Sequence, residues 1–156
     1  MLFTPELAEM SFSQMVREVR RAPRLRIGDT PFRGPMVGPD DVAAAWPELR
    51  TAEREVFGVV LLNARHAATR RVVVSIGSLN SSIVHPRETF RVAILYSAAA
   101  IVLVHNHPSG DPEPSEEDVN LTARLARAGE LLGIPVLDHV VIASRGIVSL
   151  RARGVV

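Results

Sequence analysis

Hydrophobic positions along the chain fall into two alternating patterns. Short, nearly continuous aliphatic runs occur at residues 55–64 (EVFGVVLLNA), 70–76 (RRVVVSI), 99–104, 136–143 (VLDHVVIA) and 147–150. Runs of that length, rich in Val and Ile, predict strands, the first and third of them buried. The turn at 65–68 predicts that the first two pair antiparallel, and Ser144-Arg145-Gly146 joins the last two. Between them lie stripes at helical spacing. In residues 4–21 the stripe is Ala8, Phe12, Met15, Val16 and Val19, with Thr4 to cap, Pro5 at the first helical position and Glu6 in the first turn. A second helix opens at Pro86 and runs to about Ala98, with Phe90, Ala93, Ile94 and Ser97 inward. A third starts at Ser115, presents Leu121, Leu125, Ala128, Leu131 and Leu132, and is ended by Gly133 and Pro135. A short helix capped by Asp40 or Asp41 reaches about Arg50, with Trp46 as a core anchor against the sheet.

The order is helix, two strands, helix, strand, helix, two strands. This predicts the α/β (α+β) class: a single mixed β-sheet flanked by helices on both sides. Residues 22–39 carry Pro23, Pro31, Pro35 and Pro39 with Gly28, Gly34 and Gly38, an irregular arm. The organisation is therefore an N-terminal helix and arm, 1–37, followed by one folded domain, 38–156. The arm and its apolar stripe could pack on a second copy of the chain, giving a homodimer.

Composition narrows the chemistry. Hydrophobic residues make up 47% of the 156, enough for a core, but aromatics only 4%, so the core is aliphatic. Net charge is +1, which argues against a basic coat for nucleic acid. The basic cluster Arg17, Arg20, Arg21, Arg24 and Arg26 reads better as a solvated face than as a nucleic-acid contact. There is no cysteine, so disulfides, thiolate metal sites and a thiol nucleophile are all excluded. A transition metal would have to be bound by His and carboxylate. No apolar run approaches the ~20 residues that span a bilayer. The start, MLFTPELAEM, lacks the basic region of a secretory signal. A soluble, cytoplasmic protein is expected.

Chemical density concentrates at residues 98–118, AAAIVLVHNHPSGDPEPSEED. His105 and His107 are two apart, so on an extended chain both point to one side. The Pro/Gly-rich loop at 108–114 turns the chain back, and Asp118 lies in the first turn of the helix that Ser115 opens. Two His and one Asp with an open fourth position are the catalytic rather than the structural zinc pattern. A metal-bound water has a pKa near ~7, available for attack on an amide carbonyl. Asp111 is a rival third ligand, although Gly110 and Pro112 mark it as a turn residue. The general acid/base must come from elsewhere, because there is no HExxH. Glu55, at the lip of the first strand and beside Glu53, is the candidate. Ser115 has two readings, helix cap and donor to an oxyanion. His66 reads as a solvated turn residue, His85 as a helix cap and His139 as a satisfied core histidine.

His105-Asn106-His107-Pro108, six residues, Ser115, two residues, Asp118 resembles the JAMM (MPN+) metalloprotease signature, His-x-His-Pro-x6-Ser-x2-Asp. HNHPSGDPEPSEED, with SLNSSIVHPRE before it and LLGIPVLDHVVI after it, resembles the RadC family over about residues 38–152. The resemblance implies a JAB/MPN-type fold related to the cytidine deaminase-like architecture. It implies one Zn2+ per chain on His105, His107 and Asp118, with Glu55 as catalytic carboxylate and Ser115 supporting the oxyanion. A zinc-dependent metallopeptidase or isopeptidase acting on a protein or peptide is the function implied. The family's usual N-terminal helix-hairpin-helix-like region is not expected in so short a chain, which weakens the inherited link to DNA repair. The loops are also too short to imply ubiquitin as substrate. Without cysteine, deaminase chemistry is excluded. The string HNH is not the nuclease motif, whose residues are spread over tens of positions. Two alternatives stand beside the hydrolase: a DNA-repair-associated nucleic-acid-binding or nuclease module, and a non-catalytic MPN scaffold.

Overall fold

A computed structural model describes residues 30–77 and 84–156. Six strands form one sheet: β1 (Thr30–Pro31), β2 (Val56–Leu62), β3 (Ala68–Ile76), β4 (Ala100–Asn106), β5 (Val136–Ala143) and β6 (Gly146–Ser149). Their order across the sheet is β1-β3-β2-β4-β5-β6. β4 and β5 are parallel, and the other neighbours are antiparallel. The parallel pair is joined by a helix, as such a crossover requires. The helices are α1 (Pro39–Ala45), α2 (Pro86–Leu95) and α3 (Glu116–Leu132), with a 3-10 turn at Pro47–Arg50. The mixed sheet with helices on both sides is therefore the one expected.

β4 is buried along its whole length, and β2 from Phe57 onward. Alternate residues serve different cores. Val60, Leu62, Val102 and Val104 pack with Val42, Trp46 and Leu49 on the α1 side. Phe57, Val59, Leu61, Ile101 and Leu103 pack with Phe90, Leu121 and Leu125 on the α2/α3 side. This two-sided burial is why both strands read as unbroken apolar runs. Trp46 is the expected anchor. Its ring comes so close that a Cβ on Gly58 would lie 2.8 Å from it, which accounts for a glycine inside β2.

Four elements differ in detail from expectation. The arm contains a strand, β1, which pairs with β3 through two residues; Pro31 is tolerated because β1 is the sheet edge. The helix foreseen to Arg50 stops at Ala45 and restarts as a 3-10 turn at Pro47, which has no N–H to continue the first helix. Its N-cap is Gly38, and Asp41 instead accepts the Val37 and Gly38 N–H groups at 2.8 and 3.2 Å. α2 ends at Leu95, and Ser97 takes a left-handed φ of 52°. Its inner face is Thr89, Phe90 and Ala93. Ile94 points about 90° away from that face and is 57% exposed, and Ser97 is exposed too. Leu131 falls about 80° off the Leu121–Leu125 stripe of α3 and is 90% exposed. No helix among the described residues is long and apolar enough to cross a membrane. The 4–21 helix, the basic cluster at 17–26, arm residues 22–29 and loop residues 78–83 lie outside the described residues.

Candidate metal centre

β4 extends two residues past its predicted end, so His105 and Asn106 belong to the strand and are fully buried. The two then face opposite sides of the sheet. His107 follows, its N–H bonded to the Ile142 carbonyl of β5 at 2.9 Å. The imidazoles meet with their Nε2 atoms 3.0 Å apart. Asp118 closes the group, with Oδ2 3.1 Å from His107 Nε2 and Oδ1 3.3 Å from His105 Nε2. Among the described residues, this is the one place where three such ligand groups converge.

Asp118 is brought there by a capping box. The Ser115 hydroxyl accepts the Asp118 N–H at 3.1 Å, and Asp118 Oδ2 accepts the Ser115 N–H at 2.8 Å. Ser115 is thus the predicted cap. Asp111, the rival ligand, is not in the cluster. Its carboxylate accepts the Glu113 N–H, while its backbone carbonyl accepts from His107 Nδ1 at 2.8 Å. The loop can present that carbonyl because Gly110 adopts φ +90°, where a Cβ would also lie 2.7 Å from Ser144 Oγ. The Arg145 backbone and side chain donate to the Gly110 carbonyl at 3.2 and 3.1 Å, pinning the loop to the β5–β6 turn.

The arrangement fits a cation. A carbonyl can only accept, so His107 Nδ1 carries a hydrogen; in the neutral ring Nε2 is then the lone pair a metal would take, and in the charged ring it is an N–H that Asp118 accepts. His105 Nδ1 is engaged by His139 Nε2 at 2.7 Å, so its Nε2 is likewise the atom facing the cluster. Ligand atoms about 2 Å from a tetrahedral zinc stand about 3.3 Å apart, close to the 3.0–3.3 Å seen here. The electrostatics agree. Burial works against a charged Asp118, but its bonds with His105 and His107 and the Ser115 N–H outweigh that and hold its carboxyl far below the usual range. His107 is raised, first by its bond to Asp118, against the cost of burial, with help from the Asp111 carbonyl and the charges of Asp118 and Glu55. His139 is pushed well below its ordinary value by complete burial and the neighbouring His105.

Glu55 sits one residue before β2, half-buried, in the wall of an open cleft of about 260 Å³ that it shares with His107, Ser115 and Asp118. Glu53 is exposed and is not part of that wall. Phe57 pairs with His105 across β2 and β4, so continuing the register puts Glu55 opposite His107. The segment is braced by Asn106. Its Oδ1 accepts the Val56 N–H at 2.7 Å and its Nδ2 donates to the Arg54 carbonyl at 2.9 Å, on either side of Glu55. Sequence reasoning overlooked Asn106. The signal was there: a polar residue between two histidines on a strand must face the opposite side. It also left His139 and Thr122 without a role toward the site, although Thr122 lies one turn after Asp118. His66, in its turn with φ 58°, and His85, whose Nδ1 accepts the Arg87 N–H, stand where expected.

Residues 36–155 match the family model of the RadC-like JAB domain. A UPF0758 protein of Desulforamulus reducens is 52% identical over 119 residues, which is 76% of this chain and 52% of that protein. One from Alkaliphilus metalliredigens is 46% identical over 142 residues, 90% of this chain and 61% of the relative. One from Pelobacter propionicus is 56% identical over 108 residues, 69% and 47%. The chain spans about half the length of the curated relatives it matches. The match runs from the arm before α1 to beyond β6 and so takes in strands β2 to β6, both walls of the cleft and every residue of the cluster, which makes this chain a member of the RadC-like JAB domain family.

Proposed function

We propose that the chain is a zinc-dependent hydrolase of the JAMM type, a metallopeptidase or isopeptidase acting on a protein or peptide. The observation that carries this is the convergence of two imidazole Nε2 atoms and a carboxylate beside a second, half-buried carboxylate in one open cleft. His105, His107 and Asp118 would hold one zinc ion per chain. Bound there, zinc supplies a Lewis acid that polarises a carbonyl and lowers the pKa of a coordinated water toward about 7.

The remaining roles fall to the protein. Glu55 accepts a proton from the attacking water and delivers it to the departing nitrogen, so acid and base are one group acting twice. Ser115 keeps its cap while it donates. Its oxygen accepts the Asp118 N–H, which leaves its own hydrogen for the developing oxyanion. The domain doing this is 38–156, working in the cytoplasm. The nucleic-acid reading and a homodimer through the arm depend on residues outside the described ones, and no described feature favours either. A non-catalytic scaffold would have no use for the full ligand set together with Glu55.

The test is metal content with cleavage. Purified chain should hold about one zinc, His107→Ala none, and Glu55→Gln should keep zinc while losing cleavage of a mixed peptide library. A wild-type chain without zinc at saturating metal would sink the proposal.

A further inference from the structure

We propose that His139 and Thr122 form a positioning relay that sets the tautomer of His105, so that a lone pair and not an N–H faces His107 and Asp118. The inference rests on the metal-centre reading above, but it does not require the chain to cleave anything.

The hydrogens of the relay can be assigned one by one from the end that is fixed. The backbone carbonyl of Asp118 can only accept. Thr122 Oγ1 lies 2.6 Å from it and must give it the single hydroxyl hydrogen. The same oxygen is 2.5 Å from His139 Nδ1. Having given its hydrogen away, it can only accept there, so His139 Nδ1 carries an N–H. His139 is fully buried against Phe57, where a charged ring would be costly, so it is neutral and its Nε2 is an acceptor. His105 Nδ1, 2.7 Å away, must therefore donate. That leaves the His105 Nε2 lone pair aimed at the cluster.

The relay closes on itself. It starts at the carbonyl of Asp118 and ends beside the carboxylate of the same residue. A helical threonine bonded to the carbonyl one turn back is ordinary. The second partner of that oxygen is not ordinary, because through His139 it links the second turn of α3 to β5 and to the tip of β4. Three successive elements thereby agree on the proton state of one ring. Metal-binding histidines generally need their other nitrogen so fixed, and loss of such a partner typically weakens metal binding about 10–100-fold.

The test uses the metal-free full chain labelled with 15N-histidine, with tautomers read from two-bond 1H–15N correlations. In wild type, His105 and His139 should both be Nδ1–H tautomers. Thr122→Val removes the acceptor for His139 Nδ1, so both rings should shift toward Nε2–H. Zinc affinity, measured by chelator competition, should fall about 10–100-fold. Thr122→Ser should restore both readouts. If Thr122→Val only lowers the melting temperature, with tautomers and zinc affinity unchanged, Thr122 is merely structural and the relay is overturned. An Nε2–H tautomer of His105 in the wild type overturns it without any variant. A wild-type chain that binds no zinc sinks the metal reading instead, and the tautomers of the metal-free chain still decide the relay.

Discussion

His105 lies inside the core at the end of β4, stacked on Phe57 and bonded to His139, with no surface of its own. His107, two residues later, stands in the open cleft, and a loop carbonyl holds its ring. The buried half of the centre is aimed by side chains, and the open half by the path of the backbone. Each is vulnerable to a different kind of change. Core substitutions disturb the first through unpaired polar atoms and cavities. The second responds to whatever alters the dihedral angles of the 108–114 loop.

The sharpest separation is expected between two truncations of the same chemical type. Both His105→Ala and His107→Ala should abolish zinc retention. In metal-free chain, however, His105→Ala should cost about 2–4 kcal/mol, because it opens a cavity and strands the buried His139 Nε2. His107→Ala should cost about 1 kcal/mol or less at its partly exposed site. Urea titrations in the presence of chelator measure both, and equal losses would erase the distinction between the halves.

Next in size is Gly110→Ala. The substitution forces an L residue to φ +90° and against Ser144, at about 1–3 kcal/mol. It should also weaken zinc binding although it touches no ligand, because the Asp111 carbonyl would move away from His107. Unaltered zinc affinity would show that the loop path does not aim that ring. Asn106→Leu should cost a similar or somewhat smaller amount, about 1–3 kcal/mol, by leaving the Val56 N–H and Arg54 carbonyl unpaired. Zinc should stay bound while the proposed Glu55-dependent cleavage falls, because the fault lies on the other face of β4. Smallest of all is Arg153→Ala. Its bidentate pair with Glu113 ties the same loop to the C-terminal turn, but through exposed groups. Neither the melting temperature nor zinc affinity should change measurably.

The legible parts of the molecule are those encoded over short distances. β2 and β4 announced themselves as aliphatic runs because both faces are buried. α3 declared its start through Ser115 and Asp118, whose capping box needs only a three-residue spacing. The three clustered residues were readable for the same reason: strand alternation aligns His105 with His107, and the loop and cap return Asp118 to them. Where side-chain direction depends on what a helix packs against, the pattern misled. Ile94 and Leu131 are apolar at nearly correct spacing, yet both face solvent.

The sequence by itself determined the strand and helix runs, the His-x-His tip and the cap that carries Asp118, because each depends on neighbours within one or two turns of chain. Tertiary structure decided the remainder. The pairing of Phe57 with His105 selects Glu55 over Glu53 as the carboxylate in the cleft. The parallel pairing of β4 with β5, with α3 laid across that face, brings His139 and Thr122 behind His105. Strand register and helix docking are settled by the burial of whole faces. No local spacing could specify which polar groups would meet there.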